Sequence, residues 1–211
     1  FKKVMLNKNL LKLVKDYKFS LIAIVFYEII YLLKGSKGNK FHFSENNKMS
    51  DNIPCPYYFL TKIKKELQEE DFSIFIDLGC GSGRIIDFFS KNFSGKKFIG
   101  IENFNDQYEY CKKIFQGKEN IYIFQDDFTK SEFFKYNADC YFFNNPFRDE
   151  KEFIKFMDLN RNFFFKKKII FIFVNYNEKT IHDLKYLKNI KNFYISKNKG
   201  YSICYLNNGL K

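Results

Sequence analysis

From residue 73 to residue 206 the chain alternates short apolar segments with amphipathic ones, and this alternation limits the fold more than any other feature. Strands are predicted over Ser73–Leu78, Lys97–Glu102, Asn120–Phe124, Ala138–Phe143, Lys168–Asn175, Ile190–Ser196 and Tyr201–Leu206. Helices are predicted over Arg84–Asn92, Asp106–Phe115, Thr129–Phe134, Glu150–Asn160 and Glu178–Leu187. Strands that alternate with helices predict a doubly wound, mostly parallel α/β sheet. Only Lys197–Gly200 joins the last two strands, so the final strand is predicted to run antiparallel.

The amino-terminal part of the chain differs from this pattern. Residues 1–51 are predicted to form a helical extension with a linker, and residues 52–211 the main domain. Apolar residues at helical spacing predict a helix over Val4–Leu33. Lys34–Asp51 is polar, with Gly35, Gly38 and an Asn-Asn pair, and is predicted to be the linker. An amphipathic helix is predicted over Tyr57–Glu69.

Phe19–Leu33 is the segment that bears on a membrane. It has fifteen residues with Glu28 as its single charge, whereas a span needs about 20 apolar residues and a charge in hydrocarbon is costly. The favoured interpretation is a helix buried against the main domain. The second is an interfacial helix on a membrane, flanked by Lys15, Lys18 and Lys34. A signal-peptide core is disfavoured, because no small-residue cleavage site follows.

The net charge of +12 is a weak guide to function. Of the 36 basic residues only Arg84, Arg148 and Arg161 are arginines, and the lysines are spread along the whole chain. The 29 phenylalanines and 15 tyrosines accompany this lysine excess, which is typical of an AT-rich genome. Because arginine makes the bidentate contacts that read phosphate and guanine, this composition does not by itself predict a nucleic-acid-binding protein.

The cysteines and histidines predict neither a disulfide framework nor a metal site. The five cysteines are odd in number and form no CxxC pair, which favours a reducing, cytoplasmic compartment. The only histidines are interpreted as ordinary structural or surface residues, and no metal is predicted. These residues are Cys55, Cys80, Cys111, Cys140, Cys204, His42 and His182.

The strongest chemical signal is the glycine cluster in Ile76–Arg84, which follows a predicted strand and opens a predicted helix. Glycines let the backbone approach a ligand without interference from a Cβ atom. A dinucleotide-binding fingerprint would need a glycine where Arg84 stands. Asp77 at the start of the loop suits a cationic ligand better than a phosphate, which prefers a helix N-terminus without a nearby anion.

Asp77–Gly83 resembles motif I of the class I S-adenosylmethionine-dependent methyltransferases. Three further matches follow in the family's order, each at the end of a predicted strand: Ile99–Glu102, Gln125–Phe128 and Phe142–Phe147. Open α/β sheets bind ligands at this edge. The resemblance covers residues 52–206 and implies a Rossmann-like fold with seven strands, a bound S-adenosylmethionine and methyl transfer.

The resemblance also implies which residues contact the cofactor. By this likeness the ribose hydroxyls are bound by Glu102 and the adenine amino group by Asp127, although both acids also suit helix capping, the preferred interpretation for Asp126. The whole predicted set is Asp77, Gly79, Cys80, Gly81, Gly83, Glu102, Asn103, Asp127, Phe128 and Asn144.

One group of small, poorly characterised bacterial methyltransferases is more similar still. Its members carry a PTPY-like segment before motif I and an FNPF-like motif IV, which correspond here to Pro54–Tyr57 and Phe143–Phe147. By resemblance, the first segment folds over the cofactor, and Tyr57 and Phe147 are predicted to contact the substrate. The alternative for Pro54–Tyr57 is a rigid turn that starts a helix.

The predicted catalytic segment is Asn144, Asn145, Pro146 and Phe147, which resembles the [DN]PP[FY] motif of amino methyltransferases with Asn145 in place of the first proline. Methyl transfer needs alignment of donor and acceptor rather than an obligatory acid or base. The acceptor is predicted to be a protein side chain or a small or lipid-like molecule. The alternatives are an amino group of a nucleic acid, with Phe147 stacked on the base, and a non-catalytic cofactor-binding or RNA-binding subunit. A nicotinamide enzyme is the weakest alternative.

Overall fold

The computed structural model describes residues 20–38, 54–130, 132–147, 149–165 and 168–206. The first part of the predicted helix Val4–Leu33 and most of the predicted linker lie outside these residues, as does His42. The helices are α1 Ser20–Leu33, α2 Tyr57–Leu67, α3 Arg84–Asn92, α4 Asn105–Ile114, α5 Glu150–Leu159, α6 Arg161–Phe164 and α7 Glu178–Asp183, with a 3₁₀ helix at Phe133–Tyr136. The strands are β1 Ile74–Leu78, β2 Lys97–Glu102, β3 Ile121–Gln125, β4 Cys140–Asn144, β5 Ile170–Val174, β6 Leu187–Ser196 and β7 Lys199–Leu206.

The strands form one seven-stranded sheet in the order β3-β2-β1-β4-β5-β7-β6. Ile76 of β1 is in register with Ile99 of β2 on one side and with Tyr141 of β4 on the other, and both pairings are parallel. β7 runs antiparallel to both β5 and β6. The predicted doubly wound, mostly parallel sheet with an antiparallel last strand is therefore confirmed. Strand order reverses between β1 and β4, which places a ligand-binding crevice at the carboxyl ends of these strands.

Two local predictions are wrong. The loop between the last strands has two residues rather than four, because pairing continues to Ser196 and Lys199. The predicted helix Thr129–Phe134 is replaced by a turn followed by the 3₁₀ helix. The side chain of Asp127 accepts hydrogen bonds from the backbone N–H and hydroxyl of Thr129, and this local bonding competes with a helix.

Both faces of the sheet are covered, and aromatic rings fill most of the interior. Because neighbouring strand residues point to opposite faces, Phe75 of β1 packs with α2 and α3 while Ile76 packs with the α5 side. Most rings meet in edge-to-face or tilted pairs, as Phe75 does with Phe89 at a centroid distance of 5.0 Å. The high phenylalanine content is therefore used to build the core.

The helix α1 packs on the main domain along one face. Ile24 is buried, and the Tyr31 ring stacks on the Tyr57 ring at a centroid distance of 4.4 Å. The favoured interpretation of Phe19–Leu33 thus holds for the inner face of α1. In the part of the chain that the structure describes, none of the helices has both the length and the apolar character needed to cross a bilayer.

Candidate functional site

The glycine loop turns the chain from β1 into α3 with left-handed backbone conformations. Gly79 and Gly83 have φ angles of 85° and 84°, a region that favours glycine. The N–H groups of Gly79 and Cys80 donate to the Ile101 carbonyl at 2.9 and 3.0 Å, which joins the loop to β2. A Cβ atom on Gly79 would lie 3.1 Å from Cβ of Pro146, so the loop closely approaches the predicted catalytic segment.

Glu102 at the end of β2 is fixed by backbone donors. Its Oε2 accepts from the Gly81 N–H at 2.7 Å and its Oε1 from the Phe104 N–H at 2.9 Å. The side chain is nearly buried, whereas the neighbouring Asn103 is exposed. The structure therefore brings together Gly81 and Glu102, which sequence motifs separated by 21 positions had predicted to share one ligand.

Asp77 is the buried charge of the site. It is fully enclosed, and among the described residues neither carboxylate oxygen has a hydrogen-bond partner. Burial, and then the nearby charge of Glu102, raise the pKa of Asp77 well above its usual value. Buried polar groups are nearly always hydrogen-bonded, and a cation or donor beside Asp77 would favour its ionised form. The arrangement suits a positively charged ligand.

The thiol of Cys80 is buried, so a ligand at the glycine loop would meet the backbone of this residue rather than its sulfur. Its side chain turns inward over Gly100, where an added Cβ atom would lie 2.8 Å from the sulfur. Hydrogen bonding with Cys111, and then burial, raise the pKa of the Cys80 thiol well above its usual value, so it stays protonated. All five cysteines are buried and none of them forms a disulfide bond.

The first turn of α3 is covered by the chain's own backbone. The Ser82 hydroxyl donates to the Gly38 carbonyl at 2.7 Å, and the Lys37 N–H donates to Asp87 Oδ2 at 3.0 Å. Gly38 packs so closely on the Arg84 backbone that a Cβ atom there would overlap it. A dinucleotide pyrophosphate would need this helix N-terminus, so the packing disfavours a nicotinamide cofactor.

Arg84, which stands where the dinucleotide-binding pattern needs a glycine, has a structural role. Its guanidinium is buried, pairs with Glu28 of α1 at 2.9 Å and donates to the Cys55 carbonyl at 3.2 Å. It also lies 4.5 Å over the Tyr57 ring. Tyr57 is enclosed by these contacts and is 1% exposed, so the alternative of a turn that starts a helix describes its surroundings better. Its predicted contact with a substrate stays a prediction.

The acid after β3 is engaged locally. Asp127 Oδ2 pairs with Lys130 at 2.9 Å, and Oδ1 accepts from Thr129. Burial alone would raise the pKa of Asp127, but the hydrogen bonds from Thr129 and Lys130 together lower it below its usual value. These contacts hold Asp127 in a local turn rather than at a helix cap, and the adenine contact of Asp127 stays a prediction. Phe128 meets Phe147 edge-to-face at 5.5 Å, which links this loop to the predicted catalytic segment.

The predicted catalytic segment departs from a double-proline loop for a conformational reason. Asn145 has a φ angle of 46°, which proline cannot adopt because its ring fixes φ near −65°. Asn144 Oδ1 accepts from Asn175 Nδ2 at 3.1 Å, which ties the end of β4 to the end of β5. The Phe147 ring is 6% exposed and packs against Phe156 at 5.2 Å, so its face is covered by protein.

A cavity of about 160 Å³ opens beside this segment. Of its residues, the sequence predicted only Asn145 as part of a site. Among those it missed are Asn175 and Tyr176, whose Oδ1 and hydroxyl are buried without a partner among the described residues. Burial raises the pKa of the Tyr176 phenol well above its usual value, so it remains a donor. The sequence feature that could have indicated these residues is the Asn-Tyr-Asn run directly after the apolar strand β5. The cavity is lined by Asn145, Asp149, Glu150, Asn175, Tyr176, Asn177 and Asn198.

Solved structures with a similar fold are methyltransferases by name. A human methyltransferase 10 domain containing protein has a TM-score of 0.60 and 14% identity, with 87% of this chain and 96% of that chain covered. A Staphylococcus aureus protein assigned as a caffeoyl-CoA O-methyltransferase has a TM-score of 0.56 and 13% identity, over 96% and 100% of the two chains. A precorrin-6y C5,15-methyltransferase from Geobacter metallireducens has a TM-score of 0.51 and 13% identity, over 79% and 94%.

These similarities establish the fold, which is the class I methyltransferase fold. A scan against protein-family models finds no match. A search of curated proteins finds none either. The specific group of small bacterial methyltransferases therefore rests on the sequence motifs alone.

Proposed function

We propose that this chain is an S-adenosylmethionine-dependent methyltransferase. The observation that carries the proposal is the meeting of three strand ends. The glycine loop after β1, Glu102 at the end of β2 and the catalytic segment after β4 lie together at the reversal of strand order, with the unpartnered Asp77 beneath them. The shared fold of the solved methyltransferases supports this interpretation.

The residues present fit the cofactor in charge and in shape. S-adenosylmethionine carries a sulfonium and an ammonium group, and the buried Asp77 carboxylate would stabilise a cation. The backbones of Gly79, Cys80, Gly81 and Gly83 would line the ligand. On the ribose side we place Glu102 and Asn103, and on the adenine side Asp127 and Phe128.

The chain's own task is to position the two reactants. Bound S-adenosylmethionine supplies a methyl group on a positively charged sulfur, open to in-line attack by a nucleophile. The catalytic segment orients the acceptor and excludes water, and Asn144 is held by Asn175 for this purpose.

We propose a protein side chain or a small or lipid-like molecule as the methyl acceptor. The covered ring of Phe147 supports this choice over a nucleic-acid amino group, because stacking on a base would need an open ring face. The five cysteines, none of which forms a disulfide bond, favour a reducing compartment, and we propose the cytoplasm as the site of activity.

The test is incubation with a methyl-labelled cofactor and separated protein, nucleic-acid and lipid fractions. We expect label in the protein fraction or in the small-molecule and lipid fractions. Label in nucleic acid would establish the alternative of an amino methyltransferase. Tight cofactor binding without label in any fraction would support a non-catalytic binding subunit.

A further inference from the structure

The helix α1 has an apolar face that no described residue covers. The exposed fractions are 76% for Ile22, 49% for Val25, 59% for Phe26, 53% for Ile29, 66% for Leu32 and 81% for Leu33. Their spacing places them on one side of the helix, here called the outer face of α1. An unbroken apolar surface of this kind marks an interaction site.

The charge within the helix is turned away from this face. Glu28 points inward, where it pairs with Arg84 and accepts from the Tyr57 N–H at 2.9 Å. The argument that a glutamate in mid-helix opposes contact with hydrocarbon therefore does not apply to the outer face. The domain holds α1 in one orientation, with the charged side inward and the apolar side outward.

The sequence on both sides of the helix is basic. Residues 1–18 contain six lysines and one acidic residue, and residues 34–48 contain four lysines and one glutamate. Lysine clusters next to an apolar helix surface attract anionic lipid head groups, while the apolar side chains enter the boundary with the acyl chains. The same charges would repel a second copy of the chain placed face to face.

We propose that the outer face of α1 docks the protein on an anionic membrane surface, with α1 lying in the plane of the interface. The proposal is independent of methyl transfer, since it rests on the exposed face and on the lysines that bracket it. It would bring the candidate site close to lipid-borne molecules.

The experiment is flotation of the full chain with vesicles of phosphatidylcholine containing phosphatidylglycerol, compared with vesicles of phosphatidylcholine alone. We expect the protein to float with the anionic vesicles and to dissociate as salt is raised. The double variant Phe26→Asp, Leu33→Asp should lower the partition coefficient at least about tenfold, because two charges would enter the apolar boundary. Ile22→Ser combined with Leu33→Ser provides a milder pair at the two most exposed positions.

Leu159→Asp is the matched control, since Leu159 is 74% exposed on the distant helix α5. It should bind vesicles as the unaltered chain does, and thermal unfolding should show that all variants fold. Failure of the unaltered chain to float, or binding by both double variants as strong as that of the unaltered chain, would overturn the proposal. A dimer seen by light scattering without lipid and lost in the double variants would show that a second copy covers the face instead. Stronger capture by an RNA oligonucleotide than by anionic vesicles would also contradict it.

Discussion

The Glu28 carboxylate lies 2.9 Å from the guanidinium of Arg84 and joins the amino-terminal helix to the first residue after the glycine loop. The same carboxylate accepts from the Tyr57 N–H, so one side chain holds three segments together. Arg84 is nearly enclosed, and a buried guanidinium needs such a partner. The helix α1 is therefore part of the structure that shapes the candidate site.

Glu28→Ala should destabilise the fold by about 1.5–3 kcal/mol, the range for hydrogen bonds to charged groups, because it leaves Arg84 without its anion. Chemical denaturation measures the change. Asp71→Ala is the control, since Asp71 is 99% exposed and pairs with Lys96 at 3.8 Å. This exposed pair should contribute less than about 1 kcal/mol. Equal effects of the two substitutions would show that the Glu28 contact is not structural.

Asp77→Asn should stabilise the ligand-free protein and weaken cofactor binding. The folded-state pKa of Asp77 is raised above the ordinary value of 3.8, so the carboxylate ionises more readily in the unfolded chain. Stability relative to Asp77→Asn should therefore fall as pH rises above 3.8 and level off above the folded-state pKa. Thermal unfolding across pH should show that, at neutral pH, the Tm of Asp77→Asn exceeds that of the unaltered chain by about 2–4 °C for each kcal/mol of stability gained. A variant that is less stable at neutral pH would contradict the assignment of Asp77 as an unpaired buried charge.

Gly79→Ala should abolish cofactor binding, because it combines a strained φ with a Cβ atom 3.1 Å from Pro146. Gly81→Val should also abolish cofactor binding, because its bulky side chain would keep the ligand from approaching the loop backbone. Gly95→Ala is the matched control, since Gly95 has a φ angle of 72° but open space around it. It should cost about 1–2 kcal/mol of stability and leave cofactor affinity unchanged. Calorimetry measures the cofactor affinity of each variant. Undiminished affinity in Gly79→Ala and Gly81→Val would show that the glycine loop is not part of the binding site.

Asn144→Ala should lower turnover tenfold or more with little change in cofactor affinity, a loss of at least about 1.4 kcal/mol of transition-state stabilisation. Asn92→Ala, at an exposed asparagine of α3, should leave turnover unchanged. Phe147→Ala should cost about 3–5 kcal/mol of stability, since it empties a buried aromatic site. Phe147→Leu removes less of the buried side chain, so it is the variant to use for measuring turnover at this position. If Asn144→Ala loses cofactor binding and thermal stability together, the segment is a fold element and the acceptor site lies elsewhere.

The sequence predicted the sheet and the position of the candidate site because both depend on local signals. Apolar periodicity marked the strands, and the left-handed turn at Gly79–Gly83 needs glycines that are visible in the sequence. The pairing of Glu28 with Arg84 joins residues 56 positions apart, and no periodicity encodes it. The enclosure of Phe147 depends likewise on where α5 packs. Asn175 and Tyr176 were missed because a single polar run after a strand resembles an ordinary turn.

The central claim is that the site binds S-adenosylmethionine through Glu102, and calorimetric titration of the purified chain tests it most directly. S-adenosylmethionine should bind, Glu102→Ala should weaken binding by about 1.5–3 kcal/mol, and Asp127→Ala should weaken it less. NADH should show no binding, because the backbone of Gly38 covers the helix N-terminus that a pyrophosphate would need. Tighter binding of NADH than of S-adenosylmethionine, or equal affinity of Glu102→Ala and the unaltered chain, would contradict the claim.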